Sequence, residues 1–407
     1  MPHIFARSVG IWMAVSLLSF SCASQKQAGP VALQRPLMPC TKAQISPRVD
    51  GRLGGYGWER IPAFSSFILS DGSGLANEQT KGYITYDDTC LYVGAICVDS
   101  KGDYAKADVE ERDADRIRED DVIEILLDTN RDGATYIHVM VNALGTQWDE
   151  VNGEGPTSWD GKWRAEATSS TQWWQVECAL PFAQLGALPQ EGDIWGFNMC
   201  RCRWPGPEHS AWSCTHGAFD DPDTWGEMIF VPTSPMAELS ALGDTYGDLY
   251  RSSVLQMKLS SNIAHPTKVV ARADVFHKAD WAYGCQQALI LPAQERRLIS
   301  QLCYDIAFRQ DNVLTFTLSD AESGAVYYRS PAYPLRDTFF APRIQALNQQ
   351  ITRLRRSGHD RGSLRAYTGR LKHIQERVQS TGRASPTEWD HTDKELRELE
   401  AELLNER

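Results

Sequence analysis

The stretch EDDVIEILLDTNRDG, residues 119–133, places six acidic side chains around a short apolar run. Carboxylates at that density could hold a metal, grip a polar ligand, act as an acid–base pair, or tie down strand ends and a turn. Asp128-x-Asn130-x-Asp132-Gly133 matches the first half of an EF-hand loop, in which alternate oxygens converge and glycine permits the bend. The twelfth position is Val139 rather than a bidentate glutamate, and strand-type sequence flanks the loop where an EF-hand has helices. Two readings follow. Asp128, Asn130 and Asp132 either hydrogen-bond their own hairpin turn or ligate a structural calcium ion outside an EF-hand setting. A glycosidase pair would need two carboxylates about 5–10 Å apart across one bond. With 53 acidic residues in the chain, some pair meets that spacing by chance. No G-x-S-x-G, H-E-x-x-H or Walker loop is found, so the sequence gives no positive sign of catalysis.

The stronger signal is aromatic. Trp148, Trp159, Trp163, Trp173, Trp174, Trp195, Trp204, Trp212 and Trp225 crowd into one region, more than a sandwich core needs. Indole rings stack on the C–H faces of sugar rings while neighbouring Asp, Glu, Asn and Arg bond the hydroxyls. Trp174 and Trp195 lie inside strand patterns and read as core. Trp204 and Trp212 bracket Pro205-Gly206-Pro207 and are expected at the surface, with Trp148 and Trp159 as further candidates.

The elements that must carry these residues are strands. From 46 to 232, runs such as KGYITYD, CLYVGAICV, VIEILLD, WWQVECALPF and WGEMIFV alternate between Gly- and Asp-rich turns, the pattern of an antiparallel β-sandwich. Cys200 and Cys202, two apart on one such strand, point to the same face as buried thiols. Residues 235–336 repeat the pattern with few tryptophans, as a second, smaller β-sandwich. Residues 340–407 switch to helical periodicity: Ile344, Leu347, Ile351 and Leu354, then Leu364, Tyr367, Leu371, Ile374 and Val378, then Trp389, Leu396, Leu399 and Leu403. Ser385-Pro386-Thr387-Glu388 supplies a capped start for the last helix. Residues 343–383 hold ten Lys or Arg against two acids and residues 384–407 three against eight, so the last helix is expected to pack on the basic ones. These helices are also where a protein partner would dock.

Residues 1–24 read as an export signal, with an apolar stretch too short to span a bilayer. Leu18-Ser19-Phe20-Ser21-Cys22 resembles a lipoprotein cleavage site, which makes Cys22 the expected lipidated residue, with ordinary cleavage just beyond Ala23 as the alternative because Ser19 stands where an aliphatic residue is usual; residues 25–45 read as a polar, proline-bearing linker. The expected location is therefore the outer membrane, periplasm or cell surface, with the membrane reached only through the lipid. A net charge of −12 excludes a general nucleic-acid binder, which needs a basic face.

The ordered blocks DGRLGGYGW (50–58), YITYDDTCLYVGAICVD (83–99), DDVIEILLD (120–128), VNALGT (141–146), WWQVECALPF (173–182), WGFNMCR (195–201) and AWSC…FDDPDTWGEMIF (211–230) resemble the family 9 carbohydrate-binding modules. The resemblance implies a sugar-binding β-sandwich over about 46–232, often found beside glycoside hydrolases, with calcium as a structural support. It further implies that Trp212 is one of two stacking indoles and that Glu124 bonds sugar hydroxyls, the two meeting on one concave surface. Arg118 stands in the place of the second indole, and Met140, Cys200 and Arg203 replace polar or oppositely charged contacts. Asp120-Asp121 then read as strand-entry residues. The sequence thus points to a non-catalytic, envelope-attached protein that binds a polysaccharide or oligosaccharide. The alternative is a scaffold whose sandwich no longer binds sugar and whose helical tail makes protein contacts.

Overall fold

The computed structural model describes residues 26–99, 105–204, 207–242, 253–295, 298–304, 312–335, 340–380 and 386–405. The chain is mainly β, with helices at its C-terminal end. In chain order the first strands are β1 (Lys26–Gln27), β2 (Leu37–Lys42), β3 (Ala63–Phe64), β4 (Ile68–Leu69), β5 (Thr80–Tyr86), β6 (Cys90–Val98), β7 (Val122–Asp128), β8 (Ile137–Asn142), β9 (Gln147–Val151), β10 (Arg164–Ser169), β11 (Trp173–Pro181), β12 (Ile194–Arg203), β13 (Glu208–Ala211) and β14 (Gly226–Val231). One layer runs β12–β7–β8–β9, with β13 and β14 sharing the other edge of β12. The facing layer is β3–β5–β6–β11–β10. Alternation along β7 explains why the layers stay together. Ile123, Ile125 and Leu127 enter the inter-layer core, where they join Leu91, Val93, Ala95 and Cys97 of β6 and Val176, Cys178 and Leu180 of β11.

Residues 25–45, expected as a linker, are structured from Lys26 onward, and this corrects the sequence reading. β2 pairs in parallel with β14 over Leu37–Thr41 and with β5 at Thr41 and Lys42, so it closes the seam between the two layers. Met38 and Cys40 are fully buried in the core. Prolines at 30, 36 and 39 suggested an extended tether, but Pro39 tolerates a strand position and burial of five successive residues, Leu37 to Thr41, decides the outcome. Cys22 and the export segment lie outside the described residues.

The second sandwich begins at Pro235. Strands β15 (Pro235–Leu242), β16 (Ser253–Ser261) and β19 (Leu298–Tyr304) form one sheet, and β17 (Thr267–His277), β18 (Asp280–Leu291) and β20 (Asn312–Asp320) the other, with β21 (Val326–Arg329) on the far edge of β20. β1 adds to β18 and β2 touches β21, so the N-terminal segment binds both sandwiches. Their cores are continuous, with Phe316, Tyr328 and Tyr333 in one cluster with Trp212 and Phe230.

A four-residue helix α1 (Phe182–Leu185) follows β11, and α2 (Phe340–Arg356), α3 (Arg361–Ser380) and α4 (Pro386–Asn405) end the chain. The last three build a core of their own from the residues that the periodicity picked out, Ile344 through Leu403. Ser385 and the side chain of Trp389 lie outside the described residues. α4 does lie on the basic helices: Arg343 bonds Glu400 and Asp393, Arg370 bonds Glu402, and Arg377 bonds Glu395.

Candidate functional site

The outer face of the β13–β12–β7–β8–β9 layer is where sequence and structure meet. Register places Ala211, Cys200, Glu124, Met140 and Trp148 in one row across five strands, all on the side away from the inter-layer core. The next row on one side carries His209, Cys202 and Val122, and the next on the other carries Leu126, His138 and Glu150. This face is largely covered. Val109, Ile117, Val122, Met140, Trp148 and Cys202 make one small apolar cluster, and Leu126, Cys200, Ala211 and Trp225 another.

Between the clusters runs a chain of charged groups. Glu124 meets His138 Nε2 at 2.8 Å, and His138 Nδ1 meets Glu150 at 3.0 Å. Both contacts exist as hydrogen bonds only when the imidazole carries two protons, since neither carboxylate oxygen can donate once ionised. Burial pushes His138 down, but its bonds to Glu124 and Glu150 outweigh that and raise its pKa above 6.5. Burial likewise pushes the two glutamates up, and the His138 bonds hold them below their ordinary range. The Cys202 thiol, kept protonated by burial, donates to the other oxygen of Glu124 at 3.3 Å. The Gly155 amide donates to the second oxygen of Glu150 at 2.6 Å. Arg118, from the short turn at Asp115–Glu119, lies 3.8 Å from Glu150 and 4.7 Å above the Trp148 ring, its side chain half exposed. Two carboxylates, one imidazolium and one guanidinium therefore balance in charge. Around this chain the partly exposed groups are Arg118, Tyr136, Trp204, His209 and Phe219.

The predicted sugar contacts divide by strand parity. Glu124, Trp148 and Trp204 share the outer face, with Trp204 edge-on to His209 at 6.1 Å. Trp212 does not join them, which corrects the expectation of exposure. It follows Ala211, an outer-face residue, and so turns inward, fully buried against Phe64 at 5.9 Å and Phe197 at 5.7 Å. Gly226 makes the space, because a Cβ there would sit 2.4 Å from the indole. Trp159 is partly exposed but packs on the inter-layer core instead of beside Glu124. Trp148 is on the right face yet buried beneath Arg118. Met140 and Cys200 are fully buried, and Arg203 is taken up by a two-pronged bond to Asp99.

Most of the remaining acids are structural ties. Asp120 accepts from the Asp108 and Val109 amides and from Asn142, while Asp121 accepts from Lys106 and Trp204 amides, so the pair pins the incoming 105–109 segment to the sheet. Asp149 holds Gly161, Trp163 Nε1 and Arg112. At the 128–133 turn, Asp128 accepts from the Arg131 and Gly133 amides at 2.6 and 2.9 Å. Asp132 is held down to about 2 by the Thr135 and Ala134 amides, and Asn130 turns its amide nitrogen towards Asp132. These residues do not fit a calcium ion as arranged, because the oxygens face the turn's own N–H groups. Among the described residues no three His, Cys, Asp or Glu side chains are grouped to hold a metal.

His138, Glu150 and His209 were missed by sequence reasoning. Their signal was available: His138 is two residues from Met140 and Glu150 two from Trp148, the spacing that puts side chains on one face of a strand.

Residues 49–232 match the model of the family described as carbohydrate family 9 binding domain-like. No curated protein matches the chain. Among solved structures it is similar to a family 9 carbohydrate-binding module from Caldicellulosiruptor kristjanssonii in complex with cellotriose. The identity is 19%, covering 48% of this chain and 93% of that one, at a TM-score of 0.38. The same module in complex with glucose matches at 19% identity over 48% and 95% of the two chains, also at 0.38. A candidate carbohydrate-binding protein from Bacteroides uniformis matches at 13% identity over 48% and 100%, at 0.39. Residues 49–232, a little under half of the chain, are thus similar to the carbohydrate family 9 binding domain-like family.

Proposed function

We propose that this chain is a non-catalytic carbohydrate-binding protein, exported and attached to the cell envelope through a lipid on Cys22, that serves in polysaccharide recognition or catabolism. The observation that carries the reading is the outer sheet face of the family 9-like domain, where a charge-balanced polar chain is rimmed by accessible flat groups. Sugar recognition needs that pairing of planar surface and fixed hydrogen-bond partners. With Trp212 in the core, stacking falls to the Trp204 indole and to the Arg118 guanidinium, a planar group that also donates to hydroxyls. The Glu124–His138–Glu150 chain sets the floor beneath them.

A glycan array probed with the chain from residue 26 to 407 tests this. Binding to a neutral oligosaccharide, weakened by Arg118→Ala without loss of folding, is the expected result. A folded protein that binds no glycan favours the second reading, a scaffold with a silent sandwich. That reading draws support from the burial of Trp212 and from the engagement of every Glu124 oxygen inside the protein.

A further inference from the structure

The C-terminal helices carry more positive charge than they use. α4 neutralises Arg343, Arg370 and Arg377, but Arg353, Arg355, Arg356, Arg361 and Arg365 make no ion pair with any described residue and are exposed. Three of these five converge. Where α2 ends and α3 begins, an open cleft of about 890 Å³ is lined by Arg355, Arg361, Arg365 and Lys372. Arg361, Arg365, Thr368, Gly369 and Lys372 fall at intervals of three and four, which puts them along one face of α3, beside its core stripe, whose Leu364 also lines the cleft. Gly369 leaves that wall open, since a Cβ there would meet nothing within 4 Å. The acid in the cleft, Asp360, is committed: its carboxylate accepts from the Ser363 amide and hydroxyl as the cap of α3. Lys372 lies 3.6 Å from Glu376 on the solvent side, a pair of two exposed groups.

We infer that this cleft binds the anionic groups of an acidic oligosaccharide, carboxylate or sulfate, so that the helical tail forms a second glycan site separate from the sandwich. Three guanidiniums without an ion pair among the described residues, beside an ammonium that is only loosely paired at the surface, suit oxyanions, which arginine grips through its planar fork. The volume lies in the range of small-ligand sites and holds a short segment of sugar. A membrane surface fits less well. Among the described residues, Leu404 is the one large exposed apolar side chain on these helices, too little to enter a bilayer. The choice of a sugar rests on the reading of the sandwich as a glycan binder. The choice of an anion rests on the cleft alone.

The experiment measures binding of the 26–407 chain, by calorimetry at low and high salt, to uronate and sulfated tetra- to hexasaccharides, to a neutral cello-oligosaccharide, and to anionic vesicles. The expected result is salt-sensitive binding of an acidic oligosaccharide. The triple substitution Arg355→Gln, Arg361→Gln, Arg365→Gln should weaken it at least about tenfold, the factor one lost charge-assisted contact supplies. Arg370→Gln, which removes a cation already paired with Glu402, should leave it unchanged, as should Arg118→Ala in the sandwich. Helical circular dichroism of the triple variant reports whether the bundle stays folded. Absence of acidic-oligosaccharide binding at low salt, indifference to the triple substitution in a folded protein, or a preference for vesicles overturns the inference. Failure to bind the neutral sugar bears on the sandwich alone.

Discussion

Replacing Trp212 by alanine separates a core indole from a ligand-stacking one. The ring is fully buried, edge-on to Phe64 and tilted against Phe197, and it fills the gap left by Gly226. Removing a packed tryptophan from a core costs about 3–5 kcal/mol. Net stabilities run to only about 5–15 kcal/mol, so the variant should lose a large part of what it has. Urea unfolding followed by tryptophan fluorescence and circular dichroism should show a lower midpoint at nearly constant slope. Glycan affinity per folded molecule should stay as it was. The partner substitution strengthens the test. Gly226→Ala forces a methyl into the ring, an overpacking cost of about 1–3 kcal/mol, and that cost should largely vanish when Trp212 is already alanine. A Trp212→Ala protein with an unmoved midpoint and a collapsed glycan affinity would refute the assignment, and so would additive costs in the double variant.

Deleting residues 26–45 should leave a protein that does not fold at 25 °C, because burying Leu37, Met38 and Cys40 is worth roughly 1.5–3 kcal/mol for each large side chain; a truncated chain with an unchanged melting temperature contradicts the placement of β2. Melting the protein in calcium and then in EDTA should give one midpoint, since the 128–133 turn satisfies its own carboxylates; a rise in calcium of the size that linkage gives a tight site, ~2.7 kcal/mol at 100 times Kd, shows the turn rearranging around an ion. His138, with a pKa raised from 6.5, adds stability that is complete below that pH and lost as pH climbs through the folded value. Glu124 and Glu150, lowered from 4.5, add stability that is complete above that pH and lost as acid approaches their folded values. The gap in melting temperature between the protein and His138→Gln should therefore be widest between about pH 4.5 and 6.5, and a gap that ignores pH argues against the charged imidazole.

The sandwich and the helices were legible because each rests on a local period. Ile123, Ile125 and Leu127 announce a strand with one face in a core, and Ile344, Leu347, Ile351 and Leu354 announce a helix with one stripe in another. β2 was not legible, because six residues with a proline among them look like a tether until a neighbouring strand is known. The tie roles of Asp120, Asp121 and Asp149 needed the loops they hold, whose approach no spacing in the sequence gives. The error at Trp212 is of another kind. Its place in the order of blocks matched a stacking indole, but the pairing of Ala211 with Cys200 fixes Ala211 outward and its successor inward. Order along the chain carried the fold, while parity within one strand carried the site.

That parity bears on what kind of ligand the sheet face can take. Glu124, His138, Glu150 and Arg118 cancel in charge, and every oxygen of the two carboxylates already accepts a hydrogen bond or faces a cation. A charged ligand placed there would upset a buried balance and leave one member unpaired, a cost that neutral hydroxyls do not impose. On the proposed reading the face suits an uncharged sugar that meets the rim at Arg118 and Trp204. The cleft between α2 and α3 has the opposite character, with three arginines that make no ion pair among the described residues and an acid already engaged as a helix cap. On the two proposals taken together, surfaces of such different polarity would sort ligands by charge: neutral segments of a glycan to the sheet, acidic ones to the helices. A polymer carrying both could engage the two sites together, and its avidity would then depend on the spacing between its neutral and acidic segments.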